Sequence, residues 1–207
     1  MKKIGILGGT FDPVHMGHLS LAENAYKQYK LDEVWFMTAP NPPHKSTSHV
    51  SPFEDRFNMV TLAVKDKPDF FASDFENHLE GASYTARTVT ELKKLFPEDE
   101  FCLLVGLDSF YEIEKWYHPE IILSEVTLLA APREYDKEHT GMLEHKAHLE
   151  EKYGARIGLI DAEEIDISST GLRGMLEKGL YDEVSGLLPE RVLSYIKDTG
   201  MYLKNEH

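Results

Sequence analysis

Short apolar runs alternate with longer stretches in which apolar residues recur every three or four positions, along almost the whole chain. The runs at 2–7, 33–37, 70–74, 101–105, 126–131 and 156–160 have the length and bounding turn residues of buried strands. Between them the spacing predicts helices over 16–30, 52–65, 84–95, 108–116 and 141–153, and two more over 170–178 and 189–197 close the chain. In the second helix Phe53, Phe57, Val60 and Val64 share one stripe, and Trp35 in the second strand reads as a core residue. Strand and helix taken in turn imply an α/β fold with a doubly wound, mostly parallel sheet covered on both faces. The length of 207 residues favours a single domain over 1–207, with a small helical C-terminal part from about 170 to 207.

In such a sheet ligands bind beyond the C-terminal ends of the strands, so the segments after each strand carry the chemistry. After the first comes Gly8-Gly9-Thr10-Phe11-Asp12-Pro13-Val14-His15-Met16-Gly17-His18, leading into a helix. Glycines let a backbone approach phosphate, and a helix start offers unpaired N–H groups with a positive dipole end. His15 and His18, spaced i and i+3, add two ring donors on one face. Neither the G-x-G-x-x-G dinucleotide pattern nor a Walker G-x-x-x-x-G-K-[ST] run is present.

Later segments add to this outline. Asn41-Pro42-Pro43-His44-Lys45 is a proline-stiffened loop that delivers His44 and Lys45 to a fixed place, and Arg56 either faces the same mouth or is solvated. Ser83 is the expected N-cap of the 84–95 helix, which turns the N–H groups of Tyr84 and Thr85 outward toward a carboxylate. Gly106 permits close backbone approach, Asp108 suits a ribose, and Tyr111 or Trp116 suits a flat ring. In Ile167-Ser168-Ser169-Thr170-Gly171-Leu172-Arg173, hydroxyls at a helix start precede a forked cation suited to polyphosphate.

A net charge of −14 argues against nucleic-acid and anionic-membrane partners, so phosphate ligands require locally concentrated donors. The single cysteine, Cys102, lies inside an apolar strand and reads as a buried, inert thiol, which fits a reducing cytoplasm. No apolar run reaches the ~18 residues of a membrane span, and the start of the chain reads as a strand rather than a signal peptide. A second histidine group, His139, His145 and His148, lies among Glu144, Lys146, Glu150 and Glu151, and reads as a solvated helix face rather than a metal site.

The His15-x-Gly17-His18 run resembles the signature of the HxGH nucleotidyltransferase superfamily. With Asn41–Lys45, Ser83-Tyr84-Thr85, Gly106-x-Asp108, Lys115-Trp116, the 167–173 motif and Val192-Leu193-x-Tyr195-Ile196 in order, the chain resembles bacterial nicotinate-nucleotide adenylyltransferases nearly end to end. The two end motifs are shared with pantetheine-phosphate adenylyltransferases and cytidylyltransferases, and the middle ones narrow the choice. Retention of His15, His18 and Arg173 together weighs against a non-catalytic nucleotide-binding regulator.

The resemblance implies a Rossmann-like fold and AMP transfer from ATP to nicotinate mononucleotide. It makes His15, His18 and Arg173 catalytic. It places Gly8, Gly9, Thr10, Phe11, Gly17, Gly106, Asp108, Ile167, Ser168 and Ser169 with them around ATP. It places Lys45, His44, Tyr84, Thr85, Tyr111 and Trp116 at the mononucleotide. It further implies Mg²⁺ carried by the triphosphate rather than by protein side chains, and small-molecule partners, with homo-oligomerisation left open.

Overall fold

The computed structural model describes residues 1–42, 50–131, 140–161 and 167–203. Six parallel strands form one sheet: β1 (Lys3–Gly9), β2 (Glu33–Thr38), β3 (Phe70–Ser73), β4 (Glu100–Gly106), β5 (Thr127–Ala131) and β6 (Arg156–Leu159). Their order is β3-β2-β1-β4-β5-β6, so the chain winds outward from β1 in one direction and then from β4 in the other. The helices are α1 (Met16–Tyr29), α2 (Phe53–Val64), α3 (Thr85–Leu95), α4 (Leu107–Glu112), α5 (Pro119–Glu125), α6 (Thr140–Tyr153), α7 (Ser169–Leu176) and α8 (Glu190–Thr199). Among the described residues none is long and apolar enough to cross a membrane.

Alternation along each strand feeds two apolar layers. Leu7, Val34, Phe36, Cys102, Leu104 and Leu129 face one side, where α1, α2, α7 and α8 bury Leu19, Met59, Leu172 and Ile196. Ile4, Ile6, Met37, Phe101, Leu103 and Leu128 face the other, against α3 to α6. The doubly wound sheet expected from the pattern is present, and α7 and α8 belong to the first layer. Burial pushes the Cys102 thiol up to about 11, so it is protonated and inert at neutral pH.

Several local expectations differ. Trp35 is only half-buried, because it lies beside the edge strand, opposite Phe71, with its ring N–H on Glu33. The inner face of α2 carries Arg56, Met59, Val60, Ala63 and Val64, while Phe53 and Phe57 stack on each other half-exposed. The single helix expected over 108–116 is instead α4 followed by a 3₁₀ turn, Ile113–Lys115. Helix α5 then starts with Pro119 after His118, whose φ of 50° breaks the path.

Candidate active site

The register shows where the sheet opens. β1 and β4 pair from Lys3↔Glu100 to Ile6↔Leu103, yet β1 continues to Gly9 and β4 to Gly106. Beyond Ile6 and Leu103 the two strands part, and a cavity of about 490 Å³ lies between their ends. Leu7, Gly8 and Gly9 form one wall, and Leu104, Val105 and Gly106 the other. Among the described residues, a Cβ on Gly8 or Gly106 would meet no atom within 4 Å, so the backbone there is bare toward the cavity.

Because every strand is parallel, the helices that follow them start at this same end. The first turns of α1, α3, α4 and α7 contribute lining residues, namely Gly17 and His18, Thr85, Ser109, and Ser169 with Thr170. Helix starts carry partial positive charge, which makes this end a phosphate-attracting surface in a chain of net charge −14.

His15 is the N-cap residue of α1 and is only 6% exposed. Its backbone N–H donates to Nδ1 of His18 at 3.2 Å, and the two rings stack with centroids 3.7 Å apart. With Nδ1 of His18 accepting, the ring hydrogen resides on Nε2 as a donor. Phe11 meets the His18 ring edge-on at 5.0 Å and fills the space beside Gly9. Burial pulls the His15 imidazole down to about 4, and its Nδ1 has no hydrogen-bond partner among the described residues. A buried polar atom of that kind is satisfied when a ligand or water supplies the partner.

Facing the histidines, Ser168 caps α7 by accepting from the N–H of Gly171 at 3.1 Å. The Ser169 hydroxyl donates to the carbonyl of Pro13 at 3.0 Å, and Nη1 of Arg173 donates to that of Asp12 at 2.6 Å. Helix α7 is therefore bonded to the loop between β1 and α1. Arg173 does not itself line the cavity, and its Nη2 reaches Thr170 Oγ1 at 3.3 Å.

The cavity lining also includes Ser83, Thr85, Trp116 and Glu76. Tyr84, not Ser83, is the N-cap residue of α3, because Ser83 is engaged with Asn41, its N–H on the Asn41 carbonyl and its hydroxyl accepting the Asn41 N–H. The N–H groups that open α3 are thus those of Thr85 and Ala86. The Tyr84 ring stacks on Tyr117 at 4.5 Å and lies outside the cavity lining. Glu76, 8% exposed, accepts the Thr88 hydroxyl at 2.6 Å; burial raises its pKa, opposed by the bonds from Thr88 and Ser83.

Of the residues expected at the site, Gly8, Gly9, His15, Gly17, His18, Thr85, Gly106, Trp116, Ile167, Ser168 and Ser169 line this one cavity. Thr10 and Phe11 lie behind it, Thr10 through its carbonyl on Arg56. Asp108 is exposed in the first turn of α4, and Tyr111 packs on His145 of α6 instead of entering the cavity. His44, Lys45 and His139 lie outside the described residues. His145 and His148 are directed to the Phe110 carbonyl and to Glu114. Sequence reasoning did not single out Glu76 or Ser109. Arg56, expected either at the cavity mouth or in solvent, is instead 1% exposed and bonded to the carbonyls of Ser51, Thr10 and Ala39.

A Rossmann-like sheet with paired histidines at the first helix start defines a nucleotidyltransferase of the cytidylyltransferase-like class, and the model of that family matches residues 6–175. The chain belongs, within that class, to the nicotinate-nucleotide adenylyltransferase family. It is 44% identical over 203 residues to a probable nicotinate-nucleotide adenylyltransferase of Lachnoclostridium phytofermentans, covering 98% of this chain and 100% of the relative. A second relative of that name, from Desulfitobacterium hafniense, is 39% identical, with 97% and 96% covered. The fold is also that of the Plasmodium falciparum nicotinic acid mononucleotide adenylyltransferase complexed with NaAD, with a TM-score of 0.81 at 22% identity and 98% of each chain covered.

Proposed function

We propose that this chain joins ATP to nicotinate mononucleotide, giving nicotinate adenine dinucleotide and pyrophosphate. The observation that carries the reading is one continuous cavity lined both by phosphate-type donors, His15, His18 and Ser169, and by a helix start and an indole, Thr85 and Trp116. Such a cavity suits two nucleotides laid end to end. The names of the relatives support the same substrates, and the Plasmodium falciparum enzyme carries the dinucleotide product in its structure.

In the reaction a phosphate oxygen of the mononucleotide forms a bond to the α-phosphorus of ATP. The bond from that phosphorus to the bridging oxygen breaks, and pyrophosphate leaves. The attacking phosphate is already ionised, so no general base is needed. Catalysis then consists of positioning and charge stabilisation. His18 Nε2–H and the His15 ring donate to the α-phosphoryl oxygens. Ser169, Thr170 and Arg173 act on the departing phosphates, the Ser169 hydroxyl by turning from the Pro13 carbonyl and Arg173 through the N–H donors it does not spend on the Asp12 carbonyl. Trp116 stacks on the pyridine ring, and the α3 start receives its carboxylate.

Mg²⁺ fits this site as an ion that arrives on the triphosphate. The described lining is rich in N–H, O–H and ring donors with Glu76 as its carboxylate, and no group of three His, Cys, Asp or Glu side chains suited to a metal occurs among the described residues. Carried in with the triphosphate, the ion would supply charge neutralisation for the leaving pyrophosphate. Incubation with Mg²⁺, ATP and nicotinate mononucleotide tests the reading: dinucleotide and pyrophosphate form in equal amounts, whereas no pyrophosphate with this acceptor contradicts it.

A further inference from the structure

Behind the cavity lies a buried polar cluster that the reaction does not use. Asp12 is 2% exposed. One of its carboxylate oxygens accepts the Tyr202 hydroxyl at 2.6 Å, and the other accepts the backbone N–H of Ser51 at 3.1 Å. The buried Arg56 guanidinium is drawn to the same carboxylate, while its own hydrogen bonds run to the carbonyls of Thr10, Ala39 and Ser51. The carbonyl of Asp12 is the acceptor for Arg173 Nη1. Both backbones flanking this contact are held in the left-handed region, Phe11 at φ 50° and Tyr202 at φ 67°. A side chain persists in that region only where its surroundings hold it.

The C-terminal turn after α8 therefore reaches back to the loop between β1 and α1 and fixes the residue on which Arg173 rests. We infer that Tyr202 is a positioning residue for adenylyl transfer: by holding the Asp12 carboxylate, it sets the peptide that orients Arg173 toward the leaving phosphates. The inference rests on the role proposed above for Arg173. Tyr202 is not among the residues that line the cavity, and its hydroxyl acts on Asp12, with Ser51 also within hydrogen-bonding reach. With the hydroxyl gone, the carboxylate keeps Ser51 and Arg56 but loses its shortest bond, and the Asp12 peptide is free to shift by a few tenths of an ångström. Misplacement of that size is costly when catalysis depends on alignment.

The test is a double-mutant cycle on the full-length protein with Tyr202→Phe and Arg173→Ala, reading steady-state rates for each substrate and thermal stability. Tyr202→Phe is expected to lower kcat/KM for ATP about 3- to 10-fold with the KM for the mononucleotide within about twofold of wild type. In the Arg173→Ala background the same change is expected to cost nothing further. An equal loss in both backgrounds, or a loss shared evenly by both substrates with a lowered Tm, would mean that Tyr202 only stabilises the fold, and either result overturns the inference. So does Tyr202→Phe with wild-type kinetics. If Arg173→Ala alone retains wild-type rates, the assignment of Arg173 fails first and the inference falls with it.

Discussion

The backbone N–H of His15 donates to Nδ1 of His18, and the two rings stack 3.7 Å apart, so neither imidazole can turn without the other. This fixes the donor on His18 at Nε2. Losing one aligned donor to a transition-state anion costs about 10²–10³ in rate. His18→Ala is expected to lower kcat by that order while the fold is retained, and His18→Asn to recover part of the loss. A full kcat with only a raised KM for ATP would assign His18 to binding alone.

His15 makes stability depend on pH. Its imidazole is pulled from 6.5 down to about 4 by burial, so between these values the unfolded chain binds a proton that the native state refuses. Stability should fall as pH drops through that window, by at most about 3 kcal/mol. Thermal melts from pH 8 to pH 4 should show a shallower decline in His15→Asn than in the wild type. ATP, by adding negative charge beside the ring, should bind with proton uptake in the same window, measurable by calorimetry in buffers of different ionisation enthalpy.

Arg173 bonds the Asp12 carbonyl through one terminal nitrogen and Thr170 through the other. A lysine has a single terminal nitrogen and cannot span both while facing phosphate. Arg173→Lys is therefore expected to lower kcat/KM for ATP about tenfold or more. Unchanged values would return this side chain to a purely structural role.

Gly8 and Gly106 separate binding from folding. A Cβ at either position meets nothing within 4 Å among the described residues, yet both glycines line the cavity. Gly8→Val and Gly106→Val are expected to melt within a few degrees of wild type while raising the KM for ATP about tenfold or more. Gly9 behaves differently, because a Cβ there would lie 2.9 Å from the Phe11 ring, so Gly9→Val should also lose stability.

Strands were legible because parallel strands buried on both faces read as uninterrupted apolar runs, as Ile4 to Leu7 and Phe101 to Val105 do. Gly8, His15, His18 and Ser169 were legible because each follows a strand or opens a helix, and local chemistry alone marks such places. Arg56 was not, because its partners are three backbone carbonyls in two loops, and nothing near it in sequence announces a buried cation. The cap of α3 was misplaced by one residue because Ser83, the better intrinsic capping residue, is drawn to Asn41 across 42 positions. Tyr111 was assigned to a ring-binding role on side-chain type, whereas the path of α4 turns it onto α6. The Asp12–Tyr202 bond joins residues 190 positions apart, beyond the reach of any local pattern.

Adenylyl transfer to an acid acceptor depends on the anion preference of the α3 start. Nicotinate and nicotinamide mononucleotides differ in a carboxylate against a carboxamide. The Thr85 and Ala86 N–H groups and the helix dipole favour the anion, while an amide brings its own donor against theirs. The Glu76 carboxylate, which also lines the cavity, opposes this preference, while its bonds from Thr88 and Ser83 spread its charge and burial disfavours it. The deciding measurement is kcat/KM for the two mononucleotides at matched ATP and Mg²⁺. A preference for nicotinate mononucleotide of about tenfold to over a hundredfold is expected. Equal or higher kcat/KM with the amide would rule out a carboxylate site at the α3 start.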